Sequence, residues 1–160
     1  MSYISLMEKA LSAYTDEHIK AYFESVKKEG LSEHGFPRLT ANLGILIARG
    51  IRRDLLPLFI EMMSFCCKNI PKVLAANNFS VREIISAVWE LEKTDVVSKE
   101  NIDFWKDCLS TIDPYTCYNF SAKSEDQKIH TNWLLFAAVS EFFRQEAGLC
   151  QSEEIGRAHV

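Results

Sequence analysis

The chain has 160 residues, 48% of them hydrophobic and 25% charged, with a formal net charge of −4. That composition suits one globular domain or part of a larger one, and the acidic balance argues against nucleic-acid binding, which calls for a basic face. No apolar stretch reaches the roughly 20 residues that cross a bilayer, "LLPLFIEMM" being too short and too interrupted, and no run of like charge marks an interaction tail.

The hydrophobic period is helical almost throughout. The N-terminus "MSYISLMEKALSAY" has no basic start and no unbroken apolar core, so it does not read as a secretory signal, and a cytoplasmic location is expected. Residues 4–13 place Ile4, Leu6, Met7, Leu11 and Tyr14 on one side of a first helix. Thr15 reads as the N-cap of a second, with Asp16 and Glu17 in the first turn, where the helix dipole favours acids. Ile19, Tyr22, Phe23 and Val26 recur along it at 3–4 spacing, and Gly30 ends it. The linker "LSEHGFP" leads into a helix over Arg38–Arg49 that closes at Gly50. Asp54 reads as the cap of the next, with Pro57 in its first turn, and the helix runs through "LFIEMMSFCCKNI" to Pro71.

"VLAANNFS" is a loop or short helix. Ser80 to Glu83, "SVRE", spells a capping box. The helix it heads carries Ile84, Ile85, Val88, Trp89 and Leu91. Ser98 caps another, with Ile102, Trp105 and Leu109 inside; both Trp89 and Trp105 fall at core positions. "TIDPYTCYNFSAKSEDQK" is the longest irregular segment, and "NWLLFAAVSEFFRQEAGL" forms a last helix ending near Gly148. The fold class is therefore all-α, with about seven helices in antiparallel hairpins of about 35–45 residues each. A closed bundle and a solenoid or toroid of stacked hairpins both fit this rhythm.

The five cysteines, Cys66, Cys67, Cys108, Cys117 and Cys150, follow no metal-binding spacing and read as free, mostly buried thiols. His18 and His34 lack companions at ligand spacing, and no HExxH, phosphate-binding glycine loop or GxSxG is present. No metal or cofactor is expected.

Two segments hold candidate chemistry. "DPYTCYNFSAKSEDQKIHTNW" brings Tyr115, Tyr118, His130, Asn132 and Trp133 close in sequence. An indole stacks on pyranose faces, a carboxamide grips hydroxyls or a carboxylate, and a phenol or imidazole moves protons. The plainer reading makes Asn132 a helix cap, Trp133 and the tyrosines core, and His130 solvated. In "HGFPRLTANLGILIARG", Arg38 and Asn42 stand four apart on one helix face. There the guanidinium suits an acidic substrate, held in a bidentate grip, while the plainer reading is a polar helix start. No motif marks paired carboxylates for glycoside hydrolysis, although Asp113 and Asp126 fall in loops.

The stretch "HTNWLLFAAVSEFFRQEAGL" resembles a pattern in helical-toroid carbohydrate-active proteins, in which an Asn-Trp pair opens an inner helix before an apolar run, a Glu, an Arg and a terminating Gly. Here those are Asn132, Trp133, Leu134–Val139, Glu141, Arg144 and Gly148. "FPRLTANLGILIARG" is similar to an earlier inner helix of such proteins. They include polysaccharide lyases, hydrolases of unsaturated glucuronyl sugars and uncharacterised bacterial proteins. The resemblance implies an (α/α) toroid with a substrate groove at the mouth of the inner ring. It also implies an oligosaccharide ligand, uronate-containing sugars among the candidates, with no nucleic-acid or membrane partner. Tyr115, Tyr118 and His130 would then be catalytic, and Arg38, Asn42, Asn132 and Trp133 substrate-binding. The other class of function that fits is a non-catalytic helical-repeat module for a protein partner, which calls for an exposed apolar concave face and no convergent polar cluster.

The ending "IGRAHV" has a separate explanation. Read as codons, ATC-GGA-AGA-GCA-CAC-GTC-TGA is the start of a widely used sequencing adapter, and it encodes Ile155 to Val160 followed by a stop. Residues 154–160 are expected to be adapter read-through in an environmental DNA fragment. Residues 1–153 are expected to form a single helical domain truncated at its C-terminal end.

Overall fold

A computed structural model describes residues 2–31, 35–72, 77–112 and 131–149. Among them are seven α-helices and no strand: α1 Tyr3–Ser12, α2 Asp16–Glu29, α3 Gly35–Ala48, α4 Leu56–Asn69, α5 Asn77–Glu92, α6 Lys99–Ser110 and α7 Thr131–Glu146. Short 3-10 turns at Arg53–Leu55 and Ile70–Lys72 flank α4. The all-α class expected from the sequence is thus the class observed.

Local chemistry sets several helix ends. Thr15 Oγ1 accepts the His18 N–H at 3.2 Å, and Ser98 Oγ accepts that of Asn101 at 3.4 Å, each satisfying a first-turn donor that has no partner within the helix. Gly30 ends α2 at φ 90°, in the left-handed region where a Cβ is penalised, while its N–H still donates to Val26 O at 2.9 Å. Pro57 sits in the first turn of α4 as expected.

Other ends depart from expectation. Asp54 does not cap α4. It lies in the preceding 3-10 turn and pairs at 3.4 Å with Arg52, which adopts φ 56° and also pairs with Asp16 at 2.5 Å. Ser80 and Glu83 form no capping box, because α5 already begins at Asn77 and Ser80 is fully buried inside it. Helix α3 starts at Gly35, ahead of the expected Arg38, since the ring of Phe36 stacks on Phe23 with centroids 5.3 Å apart and draws that first turn into the core. Along α1 only Met7 and Leu11 are buried, whereas Leu6 and Tyr14 are about half exposed, so its apolar side is narrower than expected. Trp105 is fully buried, as expected, and donates its indole N–H to Ser64 Oγ at 2.9 Å. Trp89 is only half-buried, lying against Phe143 with Lys93 over its ring.

The helices pack in two rows. α3 lies on α5 and α5 on α7; α4 packs on α3 and on α6. α3 and α4 run antiparallel, since Thr40 faces Cys66 while Gly44 faces Phe59. α3 and α5 run parallel: Arg38 meets Glu83, Gly44 meets Ala87 and Arg49 meets Glu90. Between the rows sits a continuous apolar core in which Leu43, Leu46, Ile47, Phe59, Met62, Met63, Ile84 and Val88 are all fully buried.

Candidate functional site

The parallel α3–α5 pair leaves a groove of about 460 Å³ along its seam, and α7 forms the third wall. From α3 come Arg38, Asn42 and Ile45, and from α5 come Arg82, Glu83 and Ser86. Each set follows from helical spacing: residues four apart recur on one face, so Arg38 and Asn42 rise together, as do Arg82 and Ser86. α7 contributes Val139 and Phe143. Phe143 is braced edge-on by Trp89, with ring centroids 5.7 Å apart.

Glu83 is the electrostatic centre. Its side chain is 12% exposed, against 53% for Arg38 and 28% for Arg82. Glu83 Oε1 accepts from Arg38 Nε at 2.9 Å and from Arg82 Nη2 at 3.3 Å. Glu83 Oε2 is buried and has no hydrogen-bond partner. Among these described groups two guanidiniums face one carboxylate, and Ile45, Val139 and Phe143 give the groove an apolar wall beside them.

Among the expected site residues, Arg38 and Asn42 do converge on this groove. Asn132 and Trp133 lie in the first turn of α7. At about 1.5 Å of rise per residue, the backbone at Asn132 stands roughly 10 Å along the helix from that of Val139; the side chains of both residues lie outside the description. Tyr115, Tyr118 and His130 lie outside the described residues, as do Asp113, Asp126, His34, Cys117, Cys150 and the 154–160 tail. The sequence reading missed Arg82, Glu83, Ser86 and Phe143. Spacing gave no sharp signal for those on α5: Arg82, Glu83 and Ser86 fall on the side of their helix away from the apolar face of Val81, Ile84, Ile85 and Val88, where polar residues read as solvated.

Other chemistries find less support in the described residues. Among them no group of three His, Cys, Asp or Glu could hold a metal ion. Cys66 and Cys67 are free, buried thiols. Burial pushes Cys66 up to about 12 and Cys67 well above the ordinary thiol value, so neither is a thiolate nucleophile near neutral pH. The described groove wall holds one carboxylate, Glu83, whereas most glycoside hydrolysis uses two. No helix among the described residues is long and apolar enough to cross a membrane.

Fold and site together define an all-α protein with a small groove of mixed charged, polar and apolar lining. Compared with models of known families, with curated proteins and with solved structures, the chain finds no match.

Proposed function

We propose that the groove binds the acidic end of an oligosaccharide, a uronate unit, and that the chain is the ligand-holding part of a carbohydrate-active protein. One observation carries this reading: Arg38, a half-exposed guanidinium, shares a groove of about 460 Å³ with Arg82, Glu83, an amide, a hydroxyl and an aromatic ring. That volume is in the range of small-molecule sites. Arg38, the most exposed of the three charges, is placed to take a carboxylate through its planar fork. Asn42 and Ser86 offer donors and acceptors for ring hydroxyls, and Phe143 offers a flat apolar face for the C–H side of a pyranose.

Catalysis in this proposal follows the lyase pattern rather than the two-carboxylate pattern. Pairing the uronate carboxylate with Arg38 withdraws charge from it and acidifies the adjacent C5–H. One of Tyr115, Tyr118 and His130 takes that proton, the C4–O bond to the next sugar breaks as the C4=C5 double bond forms, and a second of the three protonates the departing oxygen; Asn132 and Trp133 hold the further sugar units. The alternative, a protein-binding repeat, calls for an apolar concave face. Among the described residues the large exposed apolar side chains are Leu6, Tyr14 and Tyr22 in the α1–α2 region and Phe142 on α7, and none of them lines this groove, so we favour the saccharide.

Calorimetric titration of the 160-residue chain with a glucuronate-terminated disaccharide and its glucose-terminated counterpart tests this. The acidic sugar should bind, and Arg38→Ala should weaken it by roughly tenfold or more, the loss of a charge-assisted hydrogen bond. Equal affinity for the neutral sugar, or no effect of Arg38→Ala, would refute the proposal.

A further inference from the structure

The arrangement around Glu83 is more specific than an anion site needs. An anion-binding groove gains nothing from a carboxylate in its wall, since the two negative charges repel. Here the wall carboxylate also occupies the principal anion-binding group: Arg38 spends its Nε–H on Glu83 Oε1 at 2.9 Å. At the same time Glu83 is under-satisfied, because Oε2 is buried without a hydrogen-bond partner, an unfavourable state for a charged oxygen. Arg82, on the same helix and also in contact with Oε1 at 3.3 Å, keeps Glu83 paired when Arg38 leaves. Among the described residues, Glu90 pairs with Arg49 at 3.6 Å and with Lys93 at 3.7 Å about two turns further along α5.

From this we infer that Glu83 is the specificity-determining residue of the groove, acting as an internal stand-in for the ligand. It holds Arg38 until a ligand carrying both an anion and a neighbouring hydroxyl replaces it. The ligand anion takes the Arg38 guanidinium, and the ligand hydroxyl donates to the Glu83 carboxylate in the place Arg38 vacates. A simple carboxylate supplies the first contact and not the second, leaving Glu83 less satisfied than before. A neutral sugar supplies the second and not the first. The groove therefore selects hydroxy acids over either half alone. This rests on the acidic-ligand reading above and adds what Glu83 does in it.

The test compares three probes, glucuronate, acetate and glucose, on the wild-type chain and on Glu83→Gln. Glutamine keeps the shape of the side chain and removes the charge that competes for Arg38. In the wild type, glucuronate should bind more tightly than acetate or glucose. In Glu83→Gln, acetate should bind about tenfold more tightly than it does to the wild type, and the glucuronate-to-acetate preference should fall by about the same factor. A preference unchanged in Glu83→Gln overturns the role of Glu83 while leaving the acidic-ligand reading standing. Glucuronate binding no better than glucose to both proteins overturns the reading itself, and this inference with it. The wild type alone gives an independent check in case the variant folds poorly. The Arg38 Nε–H resonance, followed by nitrogen-15 NMR, should shift on adding glucuronate and move much less with acetate at equal concentration; an identical response to both overturns the exchange.

Discussion

Gly44 lets α3 approach Phe59 of α4 closely, and replacing it with alanine isolates what that approach contributes. An ideal Cβ there would stand 2.8 Å from Phe59 Cζ, 2.9 Å from Phe59 Cε2 and 3.5 Å from Ala87 Cβ. Carbon contacts are comfortable at about 3.5–4.0 Å, so the Phe59 ring would have to retreat by ~0.7 Å. It has little room to do so. Phe59 is fully buried and packs edge-on against Trp105, with centroids 6.0 Å apart, and Trp105 is itself pinned by its bond to Ser64. Overpacking of this kind costs about 1–3 kcal/mol. Alanine at a mid-helix site returns about 1 kcal/mol through better helix propensity. Gly44→Ala should therefore destabilise the chain by about 1 kcal/mol net, within a range of about 0–2. Phe59→Leu removes the clashing ring edge. In that background Gly44→Ala should become stabilising by about 1 kcal/mol, a coupling of about 1–3 kcal/mol across the cycle. Urea unfolding followed by circular dichroism and tryptophan fluorescence measures all four corners. Equal effects of Gly44→Ala in both backgrounds would refute the claim that Phe59 is what forbids a Cβ.

Two further perturbations test the helix ends and the buried thiols. Thr15→Ala should lower stability by about 1 kcal/mol, because it removes the acceptor for the His18 N–H, while Thr15→Ser should cost much less; equal losses in thermal melts would show that the hydroxyl is not the reason. Burial raises Cys66 to about 12 from an ordinary value of 9.0. Between those values the folded chain keeps a proton that the unfolded chain gives up. Stability is thus complete below about pH 9 and falls as pH rises through the window. Cys66→Ala should flatten that fall by up to about 1.4 kcal/mol per pH unit, and parallel curves for the two proteins would contradict the assignment.

How far the fold could be read from sequence depends on whether an element's end is decided locally. Thr15 and Ser98 cap as expected because each sits before a solvent-facing first turn. Asp54 fails for a reason three-dimensional in origin. Arg52, turned into the left-handed region, holds both Asp54 and Asp16, so the acid that propensity assigns to a cap goes to an ion pair instead. Ser80 fails because burial outweighs capping: α5 extends back to Asn77 and takes the hydroxyl into the interior. The "SVRE" pattern was therefore real as a pattern, but its glutamate had a stronger suitor on another helix.

That same glutamate explains why half of the groove was legible and half was not. Arg38 and Asn42 share a face by spacing alone, and any helical reading finds them. Joining them to Glu83, 45 positions away in sequence, requires the register of α3 on α5. Three contacts define that register: Arg38–Glu83 at one end, Gly44 against Ala87 in the middle and Arg49–Glu90 at the other. The middle contact is steric and the outer two are ionic. Ion pairs with an exposed partner contribute little to stability, so they do not hold the helices together; the apolar core that includes Leu43 and Ile47 of α3 and Ile84 and Val88 of α5 does, and that packing brings the charges within reach. At Gly44 the approach to Ala87 is an ordinary contact, and the tight one is to Phe59 of α4. A larger residue at position 44 would therefore act first on the α3–α4 packing and on stability, and only through them on the Arg38–Glu83 pair.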